Sequence, residues 1–332
     1  VSLIVNPAAA PTHSISGTVF EDIAGELLND GAIGDANNPG SAGVDVHLLD
    51  NGGTLIDSQV TDANGDYTFT GLSDGDYTVW VDSKTVPSAQ DPTAVQGDIW
   101  AEQTYGPADA PCANGTGSAW PNAAAGSCYG GMSGALSDGE LSLHLHQVTL
   151  TVAGGDISNI DFGFSFNVVT NSLGGDAEDD DAGENRTVQG SLRQFIQNAN
   201  AIAGANAMRF VPVELANGTD GTNDWWRIDV TELLPAITDV STTIDGQAYD
   251  LNDGTTIRDA NPQTLGYVGP VGIGGDGTRS NGDEYMAPGV AAPELELIGN
   301  APPGNGLEIQ ASLTEVRRVA IYGFGDGGGA LD

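Results

Sequence analysis

The feature that most limits the fold of this chain is a single stretch of helical periodicity, Gly190 to Pro212. Its apolar residues follow the i, i+3, i+4, i+7 spacing of one helix face: Leu192, Phe195, Ile196, Ala199, Ile202 and Ala203. Ser191 and Gln194 predict a capping box, and Gly204 predicts a left-handed stop. Almost all other apolar runs are short and bounded by Gly, Asn, Asp or Pro. The pattern therefore predicts a mainly β protein in which one helix covers an open end of the β structure.

The length and the charge narrow the range of folds and partners. The chain has 332 residues, which exceeds the size at which single cores usually stop growing, so we expect two domains. Its 9 Lys and Arg against 46 Asp and Glu give a net charge of -37, which repels nucleic acid and anionic lipid. Two interpretations of the acidity stay open, solubility in a salty or open-water habitat and the binding of divalent cations.

The sequence predicts export without membrane insertion. No run approaches the roughly 20 apolar residues that span a bilayer. The chain opens at Val1 without Met or a basic leader, and we expect a processed mature N-terminus. Cys112 and Cys128 lie 16 residues apart in a Gly, Ala and Pro-rich segment. This spacing favours a loop-closing disulfide over a metal pair, because it matches no usual zinc arrangement and no histidine lies nearby.

Short strands dominate the first half of the chain. Residues 1–13 comprise a predicted apolar strand, Val1 to Val5 (VSLIV), and a Pro and Ala-rich spacer. We expect this strand to pair within its own chain or with the sheet edge of a neighbour. A first domain at 14–167 begins with strands predicted at Ile15 to Phe20, Gly43 to Leu49, Thr54 to Thr61, Asp66 to Thr70 and Asp76 to Val81. Alternation places Val44, Val46 and Leu48 on the inner face of a β-sandwich.

Three motifs in this domain carry a family resemblance. GTVFED, PGSAGVDVHLLD and TDANGDYTFTGLSDGDYTVWVDS, in that order between Ser14 and Ser83, resemble the B-type domains of serine-aspartate repeat adhesins and the related collagen-adhesin B modules. The resemblance implies an immunoglobulin-like β-sandwich that serves as a stalk or spacer on a bacterial surface, often stiffened by calcium.

The same resemblance implies a structural calcium ion in the acidic loop Glu21 to Asn38, which follows the first strand. The hard oxygen ligands that Ca²⁺ prefers would come from Asp22, Glu26, Asp30 and Asp35. The chain departs from the family at Ala24 and at Leu27-Leu28, which interrupt the usual spacing of acids. The alternative is an acidic, solvated loop without an ion.

The rest of the first domain is less regular. We expect Val86 to Glu140 to be an excursion pinned by the disulfide and by buried aromatic residues. Strands return at Leu141 to Val152 and within Ile157 to Phe166, and His144 and His146 are predicted on an exposed polar face in preference to a metal site. An acidic linker at 168–187 follows. Its acids favour a flexible linker over a second calcium site at Asp176, Asp179, Asp180 and Asp181.

The second domain, at 188–332, carries a different resemblance. GSLRQFIQNAN, MRFV, TTIDG, LELIGN, GLEIQ and VAIYGFG look like the N-terminal cap and first coils of a right-handed parallel β-helix in large secreted bacterial proteins. Apolar strands at Leu295 to Ile298, Leu307 to Ile309 and Val319 to Ile321 recur every 11 or 12 residues. In this interpretation the helix covers the first coil, and Asp245 to Pro293 is an insertion. The far end of the β-helix, near Asp332, is unfinished or meets a partner.

These observations predict a non-catalytic function. Parallel β-helices also house polysaccharide lyases and hydrolases, but this chain has neither Lys nor His after Asn167, and Arg317 and Arg318 alternate sides. We therefore expect a secreted bacterial cell-surface structural protein, a stalk, sheath or filament subunit with calcium-stabilised β domains. It would self-associate or contact other surface proteins. The alternative is an adhesin module that binds a glycan or a protein.

Overall fold

The computed structural model describes residues 12–113, 119–130, 145–172, 186, 188–265, 270–272, 284–286, 290–299 and 305–325. Three predictions lie outside these residues: the strand Val1 to Val5, His144, and the linker acids between Asp176 and Asp181. The predicted insertion Asp245 to Pro293 is described in part.

The strands described before the predicted linker are β1 His13–Glu21, β2 Asp45–Asp50, β3 Leu55–Val60, β4 Asp66–Leu72, β5 Gly75–Asp82, β6 Glu102–Gly106, β7 Pro111–Ala113, β8 Ala119–Pro121, β9 Gly126–Ser127, β10 Leu145–Val152 and β11 Phe162–Ser165. Short 3₁₀ helices lie at Ser83–Thr85 and Gln96–Asp98. The strands form a five-stranded sheet in the order β4-β1-β11-β6-β9, a four-stranded sheet in the order β10-β5-β2-β3, and the hairpin β7-β8. We call the two larger sheets the sandwich.

The predicted inner face of the sandwich is confirmed. Val44, Val46 and Leu48 are fully buried in the core that both sheets share. Tyr67 and Phe69 point the same way from β4, with their ring centroids 5.8 Å apart in an edge-to-face arrangement. Alternation along a strand places every second side chain on one face, which is why this part of the core could be identified in advance.

The disulfide is present, whereas the predicted exposure of His146 is wrong. Cys112 and Cys128 are bonded, with their Cα atoms 4.8 Å apart. His146 on β10 is fully buried, with its ring 5.1 Å from that of Phe164 and its Nε2 atom 3.0 Å from the side-chain Nε2 of Gln189. Alternation alone could not identify this site, because the covering residue comes from beyond the sandwich.

In the described residues of the second half, one helix, α1 Leu192–Ala201, lies among short strands: β12 Val168–Val169, β13 Asn206–Ala207, β14 Arg209–Phe210, β15 Gly218–Thr219, β16 Asp224–Val230, β17 Thr242–Asp245, β18 Thr264–Leu265, β19 Pro270–Gly272, β20 Glu284–Met286, β21 Val290–Ala291, β22 Leu295–Gly299, β23 Glu315–Arg317 and β24 Val319–Tyr322. We call residues 168–325 the parallel-strand region. Three parallel ladders run through its described part: β12 with β14, β13-β17-β23, and β16-β22-β24.

Two local predictions in this half differ from the structure. Val168 and Val169, placed in the linker, pair with Arg209 and Phe210 and are buried, so β structure continues past the predicted boundary. Leu307 to Ile309 forms no strand; Ile309 makes only an isolated parallel bridge to Ile237.

The helix begins as predicted but is capped from one side only. The Ser191 hydroxyl accepts a hydrogen bond from the Gln194 backbone N–H at 3.1 Å. The Gln194 side chain donates to Asn198 and does not return to Ser191, because the latter's N–H already donates to the Val188 carbonyl. The helix ends at Ala201, so Ala203 lies beyond it and is exposed.

Both faces of the helix are covered. Its apolar side chains join the core of the parallel ladders: Leu192, Phe195, Ile196 and Ala199. The polar side chains of Gln194 and Asn198 are also buried, and Asn198 bonds to Trp100, two residues before β6 of the sandwich. The helix therefore lies between the two halves.

Candidate functional site: the acidic loop and the junction

The acidic loop starts with a carboxylate that points inward. Asp22 is fully buried directly after β1, and it accepts hydrogen bonds from the backbone N–H groups of Glu26 at 3.0 Å and Leu27 at 2.9 Å. Leu27 has a φ of 60°, so this carboxylate stabilises a left-handed turn. Burial raises the pKa of Asp22 to about 7, although the two backbone hydrogen bonds oppose the rise.

The tip of the loop is closed by a second carboxylate. Asp35 accepts hydrogen bonds from the backbone N–H groups of Ala32 at 2.7 Å, Asn37 at 2.9 Å and Asn38 at 3.0 Å, and these bonds lower its pKa. Asp30 is tied to the same turn, because its side chain accepts from the Asn38 amide at 3.1 Å. Hydrogen bonding within the chain thus already orders this tip.

Glu26 is paired with a cation from the second half. Its carboxylate forms an ion pair with Arg209, which follows α1 in the chain. The Arg209 guanidinium also donates to the Ala24 carbonyl at 3.0 Å and to the Gly254 carbonyl at 2.6 Å, and its Cζ atom lies 4.3 Å from the ring centroid of Tyr249. Arg209 therefore binds the acidic loop to the parallel-strand region.

The four predicted calcium ligands do not form one cluster. Asp22 serves a backbone turn, Glu26 pairs with Arg209, and Asp30 and Asp35 hold the tip. Among the described residues, no group of three or more Asp, Glu, His or Cys side chains could hold a metal ion. In this arrangement the four carboxylates do not fit a common ion, and calcium binding by the loop stays a prediction.

A second set of contacts lies beneath the helix. The Asn198 side chain accepts from the Trp100 backbone N–H and donates to the Trp100 carbonyl, both at 2.8 Å. Gln189 donates to the Ala101 carbonyl at 2.6 Å and lies beside His146. These contacts and those of Arg209 make up what we call the junction between the sandwich and the parallel-strand region.

Two buried acids lie at the junction: Glu102 bonds across it, and Glu214 of the parallel-strand region lies near Glu102. Glu102 on β6 accepts a hydrogen bond from the Thr170 hydroxyl at 2.9 Å, and Glu214 accepts from the Ser172 backbone N–H at 3.2 Å. Burial raises the pKa of Glu102 to about 8 and that of Glu214 to about 7, and each rise is opposed by hydrogen bonds. Both acids hold their protons at neutral pH more readily than acids in water do.

The excursion predicted between Val86 and Glu140 contributes aromatic rings to the junction. Trp100 and Tyr129 are buried, and the Tyr129 hydroxyl donates to the Gly25 carbonyl of the acidic loop at 2.6 Å. Their rings are therefore not available for stacking on a glycan. Lys84 lies over Trp100, with its Nζ atom 4.8 Å from the ring centroid.

Sequence patterns missed the residues that make the junction. No sequence motif links Arg209 to Glu26, 183 positions away, or Asn198 to Trp100, 98 positions away. Neither residue was therefore predicted. One signal was available: in a chain with 9 basic residues against 46 acidic ones, a cation within the apolar run MRFV is unusual.

Within the described part of the chain, no helix combines the length and the apolar character needed to cross a bilayer.

Residues 13–101 match the family model described as the SdrD B-like domain. Serine-aspartate repeat-containing protein F of Staphylococcus epidermidis is 41% identical over 69 residues, which are 21% of this chain and 4% of that protein. The Bone sialoprotein-binding protein of Staphylococcus aureus (strain MRSA252) is 37% identical over 90 residues, 26% of this chain and 8% of that protein. The matched segment is thus a small fraction of each relative.

Among solved structures, the major pilin subunit of Bacillus cereus aligns at 13% identity with a TM-score of 0.22, covering 46% of this chain and 30% of that chain. That likeness is too small to support an argument. The first part of this chain, residues 13–101, is therefore similar to an SdrD B-like domain.

Proposed function

We propose that this chain is a structural part of a secreted bacterial cell-surface protein, a unit of a stalk, sheath or filament. The observation that carries the proposal is the junction, which joins a domain similar to the SdrD B-like family to the parallel-strand region through buried bonds. Arg209 and Asn198 each make several contacts across it. A stalk or spacer holds a fixed direction only if its domains do not move relative to one another. A buried, hydrogen-bonded contact between the domains opposes such movement.

The parallel-strand region is, in this proposal, the capped start of a right-handed parallel β-helix. Three parallel ladders and the apolar face of α1 support it. The helix covers the core of the ladders on one side and faces the sandwich on the other.

The proposal is tested on cells and on purified protein. Immunogold labelling of intact producing cells should place the protein outside the envelope, and electron microscopy of concentrated protein should show ordered multimers. Labelling that appears only after the cells are permeabilised would reject a surface function. A strictly monomeric protein across calcium and salt concentrations would reject a filament.

Calcium stabilisation is a separate part of the proposal. The family resemblance supports it, although the four acids of the loop do not form one cluster. Added Ca²⁺ should raise the melting temperature, and Asp30→Asn should abolish the rise. Asp22→Ala is a poor probe, because losing its two backbone hydrogen bonds would destabilise the loop with or without an ion. Asp57→Asn, on the exposed strand β3, is the matched control. An unchanged melting temperature in EDTA would remove calcium from the proposal.

A binding module is the alternative, favoured by the name of one relative, the Bone sialoprotein-binding protein. Here a surface of the sandwich or of the ladders would bind a protein or a glycan. Catalysis is not part of either proposal. A glycan array and a panel of extracellular-matrix proteins, with the isolated chain as probe, test the alternative; absence of binding to both would reject it.

A further inference from the structure

The parallel ladders end in strands whose outer edges are unpaired among the described residues. The ladder β16-β22-β24 ends at β24, and β13-β17-β23 ends at β23. An edge strand presents a row of backbone N–H and C=O groups that can pair with another strand. Strands β23 and β24 are separated by one residue in the chain, so their two open edges lie at the same end of the ladders. A further strand would pair at this end.

Side-chain burial shows the same open end. The register stacks Trp226, Leu295 and Val319 in one column and Ile228, Leu297 and Ile321 in another. The first two members of each column are buried, whereas Ile321 is 42% exposed. Each rung is thus covered by the next until β24. At this end, which no other described residue covers, a groove of about 660 Å³ is lined with Leu307, Ile309, Val316, Ile321 and Phe324.

One segment of the chain has the sequence that a further rung requires. The ladder strands read WRIDV, LELIG and VAIYG from Trp226, Leu295 and Val319, with apolar residues at the first and third positions. The segment VSLIV, Val1 to Val5, repeats this pattern: Val1 and Leu3 would continue the two columns, and Ser2 would follow Ala320. It also lacks charged side chains, in a chain of net charge -37.

We propose that Val1 to Val5 of one copy adds as a parallel strand to the outer edge of β24 of a second copy. The inference rests on the proposed function and specifies its contact, since repeated donation would join copies head to tail. The spacer of seven residues, Asn6 to Thr12, can extend about 25 Å, so the segment can reach beyond its own sandwich.

Cross-linking of single-cysteine variants tests the register. One copy carries Ser2→Cys, and the other, made larger by a tag, carries Ala320→Cys; neither can form this cross-link within one chain. In parallel pairing the two Cα atoms lie within disulfide range, so mild oxidation should yield the mixed dimer. About 1 M NaCl should raise the yield by screening the acidic chains.

A shifted position provides the control for the register. Tyr322→Cys in the tagged copy replaces Ala320→Cys and lies two residues further along β24. It should give about fivefold less cross-link to Ser2→Cys, because an offset of two residues places the Cα atoms beyond disulfide reach.

Two exposed isoleucines supply a matched pair of surface variants. Ile321→Asp, added to the tagged copy, should reduce the cross-link about tenfold by placing a charge in the groove. Ile56→Asp on β3, where Ile56 is 47% exposed, should leave the cross-link unchanged. Both sites are exposed, so both variants should fold, and circular dichroism checks this.

The outcomes separate this inference from the proposed function. Equal cross-linking of the Ala320→Cys and Tyr322→Cys variants, or loss with Ile56→Asp but not with Ile321→Asp, would overturn strand donation. Ordered multimers that persist in Ile321→Asp would overturn it too and leave the structural function standing. A concentration-independent cross-link in a chain carrying both Ser2→Cys and Ala320→Cys would show pairing within one copy and would also overturn it.

Discussion

Arg209 neutralises one carboxylate of the acidic loop from within the same chain. It brings a positive charge to Glu26 from the second half of the chain, while the Glu26 side chain keeps 31% of its exposure. Charge neutralisation of an acidic loop is usually attributed to a cation from solution; here an arginine of the same chain contacts the loop.

Replacing Arg209 should therefore weaken the junction. Arg209→Met keeps the length of the side chain and removes the charge and its hydrogen bonds to Ala24, Gly254 and Glu26. We expect a loss of about 2 kcal/mol in the free energy of unfolding, below the value for a fully buried pair because Glu26 stays partly hydrated. Urea denaturation measures this loss.

The control for Arg209 is a more exposed ion pair in the same half of the chain. Arg227→Met removes the pair between Arg227 and Asp229 and should cost below about 1 kcal/mol. Equal losses in the two variants would contradict a special role for Arg209.

Glu102 should make stability fall as the pH rises. Burial raises its pKa from 4.5 to about 8, so the folded state keeps a proton that the unfolded chain has lost. Its contribution to stability is complete below pH 4.5 and is lost as the pH rises to about 8. Glu102→Gln should be close to neutral at about pH 4.5 and stabilising at about pH 8, by on the order of 2 kcal/mol.

Urea titrations at both pH values measure this difference. Exposed Glu232 provides the control, because Glu232→Gln removes the same charge from the surface and reports the general repulsion of an acidic chain. A pH-independent effect of Glu102→Gln, or one no larger than that of Glu232→Gln, would contradict the prediction.

At the scale of elements, α1 has two roles that its sequence pattern shows only in part. The apolar stripe predicts a face that covers a core, and that face packs on the parallel ladders. The opposite face is polar by composition and would ordinarily meet water. It is buried because Trp100 and Phe166, next to strands β6 and β11 of the sandwich, supply backbone groups that pair with Asn198.

Asn198 is the residue that tests this second role. Asn198→Leu keeps the side-chain volume. It removes the hydrogen bonds that Asn198 makes to the Trp100 N–H and to the Trp100 and Phe166 carbonyls. We expect a loss of about 3 kcal/mol, since unsatisfied buried polar groups carry their full desolvation cost. Gln197→Ala, one residue earlier on the same helix and half-buried, should change stability by less than about 1 kcal/mol. Thermal and urea unfolding compare them, and similar losses would show that the helix faces the sandwich without depending on it.

For the whole molecule, the junction predicts cooperative unfolding. The sandwich and the parallel-strand region share α1 and a set of buried bonds, so neither should unfold without exposing the other. Far-UV circular dichroism and tryptophan fluorescence should report one coincident urea transition. The double variant Arg209→Met/Asn198→Leu should separate it into two. Two transitions in the unaltered chain would contradict a rigid unit, and a single transition in the double variant would show that other contacts are sufficient.

Much of the local structure of this protein follows from neighbouring residues in the chain. Alternation identified Val44, Val46 and Leu48 as core residues, helical periodicity identified α1, and the two isolated cysteines identified the disulfide. These features depend on neighbours in the chain or on a pair without competitors, so their physical signals are present in the sequence. The acidic loop was located through the family resemblance.

The contacts between those elements depend on the tertiary packing of the chain. The contact of His146 with Gln189, the pairing of Glu26 with Arg209 and the bonds of Asn198 to Trp100 join residues 43 to 183 positions apart. No periodicity connects such positions, because their proximity follows from how two cores pack around one helix. Whether a carboxylate faces a metal ion, a backbone turn or an arginine depends on that packing, and here it assigns the acids of the loop to the chain itself.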